Sequence, residues 1–316
     1  MRVNNIKTLK SFIKSMFCLL FFMAIFSCMS FSEIIDPTAL GFGARSIGMG
    51  RSGLAATKDI NSIFINPANG SGIKNLGITS MSTSLMEGDV NYTFFGGVKK
   101  LFGGEVGIAY LQGYSGGILS TTKEANGRVV STGNSFDYSN STLILSYAKE
   151  FNPYVSGGLS IKYFNKKFTT QALGSGFDAD MGALCKISDK LALGMLIENF
   201  MPEGIGGIIW DNGTVEDLEA KIKSGFNYKL KDNIDLNVDL GLSGFSLNVG
   251  MEWRICKLLS LRGGFESIPF DPSSTIINAT LGIGINISNF NFDCSYVKDG
   301  SLDANSTYFF SLSYLP

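Results

Sequence analysis

Histidine is absent from all 316 residues. That single absence removes Ser-His-Asp triads, Cys-His nucleophile pairs and His-built zinc sites. Charge is sparse as well: 17% of residues are Asp, Glu, Lys or Arg, against about 25% in an average soluble chain. Cysteine is scarce and badly spaced for cross-linking. Cys18 and Cys28 sit near the N-terminus, and Cys185, Cys256 and Cys294 form an odd, scattered set. Such a set makes neither a disulfide framework nor a metal cluster. Beyond the N-terminal stretch, no run approaches the ~20 apolar residues of a transmembrane helix. The 26 basic and 27 acidic residues nearly balance, and four of the basic ones, Arg2, Lys7, Lys10 and Lys14, precede the rest of the chain in that N-terminal stretch. The remainder is mildly acidic, which gives no reason to expect a nucleic-acid partner.

What is abundant is glycine, 38 residues, and phenylalanine, 25, within a chain that is 45% hydrophobic. Residues 1–32 read as an export leader. The four basic residues make its positive start, Met16–Met29 its apolar stretch, and Ser30-Phe31-Ser32 the small-residue cleavage pattern before Glu33. Cys28 as a lipoprotein site is the lesser option, because bulky Phe26 stands close before it.

From about Lys74 onward the chain alternates apolar and polar residues. Ile234, Leu236, Val238 and Leu240 alternate with Asp235, Asn237 and Asp239. Phe290, Phe292, Cys294 and Tyr296 alternate with Asn291, Asp293 and Ser295. A period of two places each set on its own face of a sheet. The runs approach the about 9–11 residues that a tilted strand needs to cross a bilayer, and no helical segment is left to cover so much apolar sheet. About fourteen runs can be counted, over 74–85, 89–100, 103–114, 140–151, 153–168, 175–187, 190–201, 217–230, 232–241, 243–255, 257–267, 275–288, 290–298 and 305–315. Their connections alternate between short ones, such as Leu101-Phe102 and Ser188-Asp189, and long ones, such as Ser115–Ser139 and Pro202–Glu216. Tight turns on one side and long loops on the other are the asymmetry of outer-membrane barrels. The expected fold is therefore all-β: a transmembrane antiparallel β-barrel of about 14 strands, set in outer-membrane lipid over residues 74–316. Its inward faces read as mostly Ser, Asn, Gly, Asp and Lys.

The stretch Gly41–Gly70 fits neither pattern. It is rich in Gly and Ala, and a compact small-residue segment before a barrel reads as a plug, here 33–73, seated in the lumen. Gly48-Met49-Gly50-Arg51-Ser52-Gly53 satisfies G-x-G-x-x-G, but no buried strand precedes it and no helix of a βαβ unit follows. Close packing explains these glycines better than a dinucleotide does, and no cofactor or metal is expected.

Gly43, Ala44, Arg45, Gly48, Met49, Gly50, Asp59, Asn66, Pro67 and Ala68 carry a family pattern, roughly G-A-R-x-x-G-M-G, then an Asp, then N-P-A. On these residues the segment resembles the PorV/PorQ family of FadL-like outer-membrane barrels. The last strand agrees: Tyr308, Phe310, Leu312 and Tyr314 resemble an aromatic-ended terminal strand, with Leu315-Pro316 following as a departure. The resemblance implies an accessory of type IX-like protein secretion, with secreted cargo proteins or secretion components as partners. A passive channel for hydrophobic small molecules is the alternative. Neither is an enzyme.

Two further site expectations follow. A guanidinium in a shielded lumen needs an anionic partner, and Asp235, Asp239 and Asp293 are the inward candidates for Arg45. Ile208, Ile209 and Trp210, in a long loop, form an apolar cluster of the kind that marks a protein contact; Trp210 folded onto the barrel rim is the plain alternative.

Overall fold

The computed structural model describes residues 37–56, 59–70, 76–85, 88–125, 127–169, 172–243, 245–271, 274–300 and 306–316. The leader expected over residues 1–32 lies outside them.

Among the described residues, sixteen strands make one sheet. The first six are β1 (Gly77–Leu85), β2 (Val90–Leu101), β3 (Gly104–Lys123), β4 (Val129–Asn152), β5 (Val155–Thr169) and β6 (Ala172–Lys186). Next come β7 (Leu191–Glu198), β8 (Gly207–Trp210), β9 (Val215–Glu216), β10 (Lys221–Lys231) and β11 (Ile234–Gly241). The last are β12 (Ser246–Arg254), β13 (Leu259–Asp271), β14 (Ser274–Ile287), β15 (Phe290–Lys298) and β16 (Ser306–Tyr314). Neighbours pair antiparallel, β1 meets β16 at Ile78↔Tyr314, and β5 meets β6, so the sheet closes on itself.

The closed barrel has 14 strand positions. One edge of β6 pairs with β7 over Met181–Lys186 and with β8 over Gly174–Phe177. β8 therefore continues the line of β7 after an excursion that leaves the sheet at Asn199, a non-glycine residue with φ 51°. On the next position β9 pairs with β8 and β10 pairs with β7.

Alternation decides which side chains face lipid. On β12, Gly250 and Glu252 are buried while Met251 and Trp253 are exposed; on β15, Asp293 and Ser295 are buried while Phe292 is exposed. The exposed set is large and apolar around the wall: Leu281 is 62% exposed, Phe310 59% and Ile161 50%. An outer surface of this kind is stable against hydrocarbon, not water, and the barrel is of the outer-membrane type.

Two expected loops are strand instead. Most of Ser115–Ser139 is the upper part of the β3–β4 hairpin, which pairs out to Lys123↔Val129. Its Thr, Val and Ile residues favour extended backbone, and Gly127, at φ 85°, makes the turn. Pro202–Glu216 contains β8 and β9, so it is partly barrel wall.

The lumen holds residues 37–56 and 59–70. The segment is built from short helical turns, Pro37–Leu40, Ala44–Ile47, Ser62–Ile65 and Pro67–Gly70, and most of its described residues are buried. The inner wall is not uniformly polar, contrary to its sequence reading. Tyr92, Phe94, Leu111 and Phe309 are fully buried and pack with Phe42, Ile47 and Phe64 of the segment. The polar expectation holds on the opposite wall, where Asn237, Asp239, Glu252, Arg262 and Asp293 face inward.

Candidate functional site

The segment sits within the barrel near the end where the turns are shortest, called here the turn end. It can approach the wall because the wall lacks side chains where it touches. A Cβ added at Gly264 would lie 2.5 Å from the Met49 carbonyl carbon and 2.7 Å from the Gly50 nitrogen. Cβ atoms at Gly158, Gly182, Gly194 and Gly250 would collide with Pro67, Asn66, Leu54 and Met49 respectively. Gly158 and Gly182 are cross-strand partners, as are Gly250 and Gly264. The glycines thus form seats at matching heights, which explains much of the glycine excess.

Arg45 leaves the short helix Ala44–Ile47 and grips Glu252 with two bonds, Nε–Oε1 3.0 Å and Nη2–Oε2 2.7 Å. Asp59 stands 3.7 Å away on the segment itself. Burial alone would pull the Arg45 pKa down; Glu252, then Asp59, outweigh it and hold the pKa above its ordinary value. The sequence-named partners are placed differently. Asp235 pairs with Arg254, and Asp293 with Arg262 at 2.7 Å. Asp239 takes no guanidinium: its Oδ2 accepts the backbone N–H groups of Gly53, at 2.6 Å, and Leu54, at 3.0 Å. The correction is one of register. Asp235, Glu252 and Arg262 are successive cross-strand partners on β11, β12 and β13, so Glu252 lies between Arg254, Arg262 and the incoming Arg45.

The rest of the motif is structural. Gly43, at φ 80°, leads into Ala44, whose N–H donates to the Ser311 hydroxyl at 3.2 Å. Gly48 lies against Gly282, Met49 covers Gly250, and the Gly50 N–H donates to Thr280 Oγ1 at 2.9 Å. Asn66 does more than bond local backbone. Its Oδ1 accepts the Ala68 N–H, while its Nδ2 donates to the carbonyls of Leu54, at 2.8 Å, and Met195, at 3.2 Å. Pro67 rests on Gly158, and the Ala68 carbonyl accepts from the Ser156 hydroxyl. Arg51, which the sequence reading did not single out, holds a left-handed φ of 54° and is tied to Glu266 and the Leu40 carbonyl.

Two cavities open beside the segment. One, of about 200 Å³, is lined by Arg45, Asp59, Glu252, Arg262 and Asp293 among others. The other, of about 390 Å³, lies between Met49–Ala56 and the wall residues Asn227, Lys229, Asp235 and Asn237.

The apolar cluster expected at Ile208–Trp210 is divided by the sheet. Ile208 is buried and Ile209 is 63% exposed. Trp210 stacks on Phe168 with ring centroids 5.3 Å apart and donates its Nε1–H to Glu216. Glu216 also pairs with Lys166 at 2.9 Å.

Solved structures share this architecture. The Pseudomonas putida toluene transporter TodX superposes with a TM-score of 0.58 at 14% identity, over 89% of this chain and 98% of that one. The fold is FadL-like. A Pseudomonas aeruginosa FadL homologue gives a TM-score of 0.58 at 12% identity, over 87% and 98%. A deltaS2 mutant of the TodX monoaromatic hydrocarbon channel gives 0.59 at 12%, over 89% and 99%. At these identities the likeness is one of fold. No protein-family model and no curated sequence relative matches the chain.

Proposed function

We propose that this FadL-like barrel is a passive outer-membrane channel for hydrophobic small molecules, with its turn end toward the periplasm. One observation carries the reading: one sector of the inner wall is apolar, with Tyr92, Phe94, Leu111 and Phe309 buried inside the barrel. A lumen that passes only water-soluble solutes has no use for inward aromatics, and each one costs the channel a hydrated surface. Phe94 meets Phe42 and Phe64 edge-on, both at 5.7 Å between centroids. The FadL-like fold adds support, since the similar structures include a toluene transporter and a monoaromatic hydrocarbon channel.

The secretion-accessory reading rests on the Gly43–Ala68 motif. The loop cluster that would have received cargo is largely turned inward, with Ile208 buried and Trp210 stacked. Whole cells producing the barrel should take up the fluorescent probe N-phenylnaphthylamine several-fold faster than cells without it. Phe94→Asn should remove most of that gain while the barrel still assembles. Equal uptake in all three strains would end the channel reading; a changed set of exported proteins in the cells without the barrel would favour secretion.

A further inference from the structure

Residues 37–56 and 59–70 close the lumen by unlike kinds of contact. Against β1–β4, β15 and β16 the closure is apolar: Phe42, Ile47, Ile63 and Phe64 are buried on Tyr92, Phe94 and Phe309. Against β5 and β6 the backbone at Pro67 lies on Gly158 and the Asn66 side chain on Gly182. Along β10–β12 the closure is polar and has two ties. Arg45 pairs with Glu252 on β12, and one oxygen of Asp239 on β11 holds the Gly53 and Leu54 N–H groups; Met49 covers Gly250, its sulfur 3.8 Å from Asn237 Nδ2.

The larger cavity lies directly on the turn side of the Asp239 tie. Asn237, which lines it, stands two residues nearer the turn than Asp239 on the same inward face of β11. Gly53 and Ala56 line it from the segment, and Lys229, Asp232 and Asp235 carry it to the β10–β11 turn. Most side chains around it are polar or charged, with Met49, Ala56 and Ile65 apolar on the segment side.

We infer that this cavity is the release vestibule of the channel, and that Asp239 is the latch that closes it from the outer lumen; this rests on the proposed channel function. The physical ground is what water can replace. Bonds from two N–H groups to a carboxylate exchange for bonds to water at small net cost once water reaches them. Parting the aromatic side would expose buried rings, with no such compensation. Opening therefore follows the β10–β12 wall. Lifting Gly53–Ala56 away from Asp239 joins the vestibule to the lumen, while the aromatic side and the Arg45–Glu252 pair keep the segment moored. Asp239 is a positioning residue, acting through the segment and not on the solute.

Two variants test this in the full-length barrel. Asp239→Ala removes the latch, and its small-ion conductance in planar bilayers should rise several-fold over the parent. Asp239→Asn keeps an acceptor oxygen for the same N–H groups and should restore closure. Asn227→Trp fills the vestibule from β10 without touching the aromatic cluster. It should cut cellular uptake of N-phenylnaphthylamine several-fold while the purified protein in detergent binds that probe as the parent does. Parent-like conductance in Asp239→Ala, or parent-like uptake in Asn227→Trp, overturns the vestibule. If Asp239→Ala does not assemble, the Asn227→Trp uptake decides alone. A parent barrel that neither binds nor takes up the probe removes the channel function instead, and the Asp239 conductance comparison then still decides whether the latch exists.

Discussion

Arg45 and Glu252 are 207 positions apart in the chain, and they meet in a two-pronged pair that joins the lumenal segment to β12. Glu252 is the shared anion of three guanidiniums, from Arg45, Arg254 and Arg262, and its side chain is 3% exposed. The two partners are therefore not equivalent. Arg45→Ala leaves Glu252 with two cations, so the loss should be well below that of a broken isolated pair, about 1–2 kcal/mol. Glu252→Ala leaves three guanidiniums crowded around an empty place and should cost more, about 3–5 kcal/mol. Thermal unfolding in detergent of the two variants checks the order. Equal losses would mean that Arg45 is the main partner and the other two contribute little.

Adjacent glycines on β13 give a sharper test of the seat. Gly264 faces inward, and a Cβ there would press on the Met49–Gly50 backbone; Gly263 faces out, where a Cβ would find Leu281 Cδ2 at an ordinary 3.8 Å. Gly264→Ala should destabilise by about 1–3 kcal/mol, the cost of overpacking a filled space, and should raise small-ion leakage. Gly263→Ala should change neither. A similar response from both would show that the segment yields to the wall and that the glycine seats are not its mooring.

The alternation of β11 and β15 was legible because a period of two survives in a single sequence, and Asp239 and Asp293 on its inward face are buried. Which of the inward acids meets Arg45 was not legible. That depends on relative height, hence on cross-strand register, and an error of two residues at a turn moves every inward neighbour up or down the wall. Glu252 already alternated inward on β12, so its face could be read but its height could not. β8 escaped notice for another reason. Its alternation lasts only over Gly207–Trp210, shorter than the runs that identified the other strands, and Pro202 to Gly207 beside it looks like a loop. The aromatic sector of the lumen was missed because Tyr92 and Phe94 share β2 with outward Phe95, and mixed apolar residues on both faces hide the alternation.

Cys256 offers a topology test without any engineering. It is exposed in the β12–β13 turn, at the turn end. With that end in the periplasm, a membrane-impermeant thiol reagent should modify Cys256 only after the outer membrane is opened. Cysteines introduced by Gly127→Cys and Asn212→Cys, in a Cys256→Ser background, should react on intact cells. Modification of Cys256 on intact cells would invert the barrel and with it the direction of the proposed release.

Membrane residence itself can be tested on β14, where neighbouring positions face opposite media. Leu281 is 62% exposed on the outer wall near the middle of the strand, and Asn286 lines the smaller inner cavity with Glu252 and Asp293. A lysine ammonium facing hydrocarbon at the midplane of a barrel costs about 2–4 kcal/mol, and little near the interfaces. In water the same exposed lysine would be close to neutral, since surface substitutions usually stay within about 0.5 kcal/mol. Asn286→Gln instead keeps a neutral amide in a polar cavity where Asp59, Glu252 and Asp293 already face Arg45, Arg254 and Arg262. Leu281→Lys should therefore lower the unfolding free energy in lipid vesicles by the midplane amount, and Asn286→Gln should leave it nearly unchanged. If Leu281→Lys is as stable as the parent in vesicles, that face does not lie in the bilayer, and the apolar outer wall would have to be covered by protein.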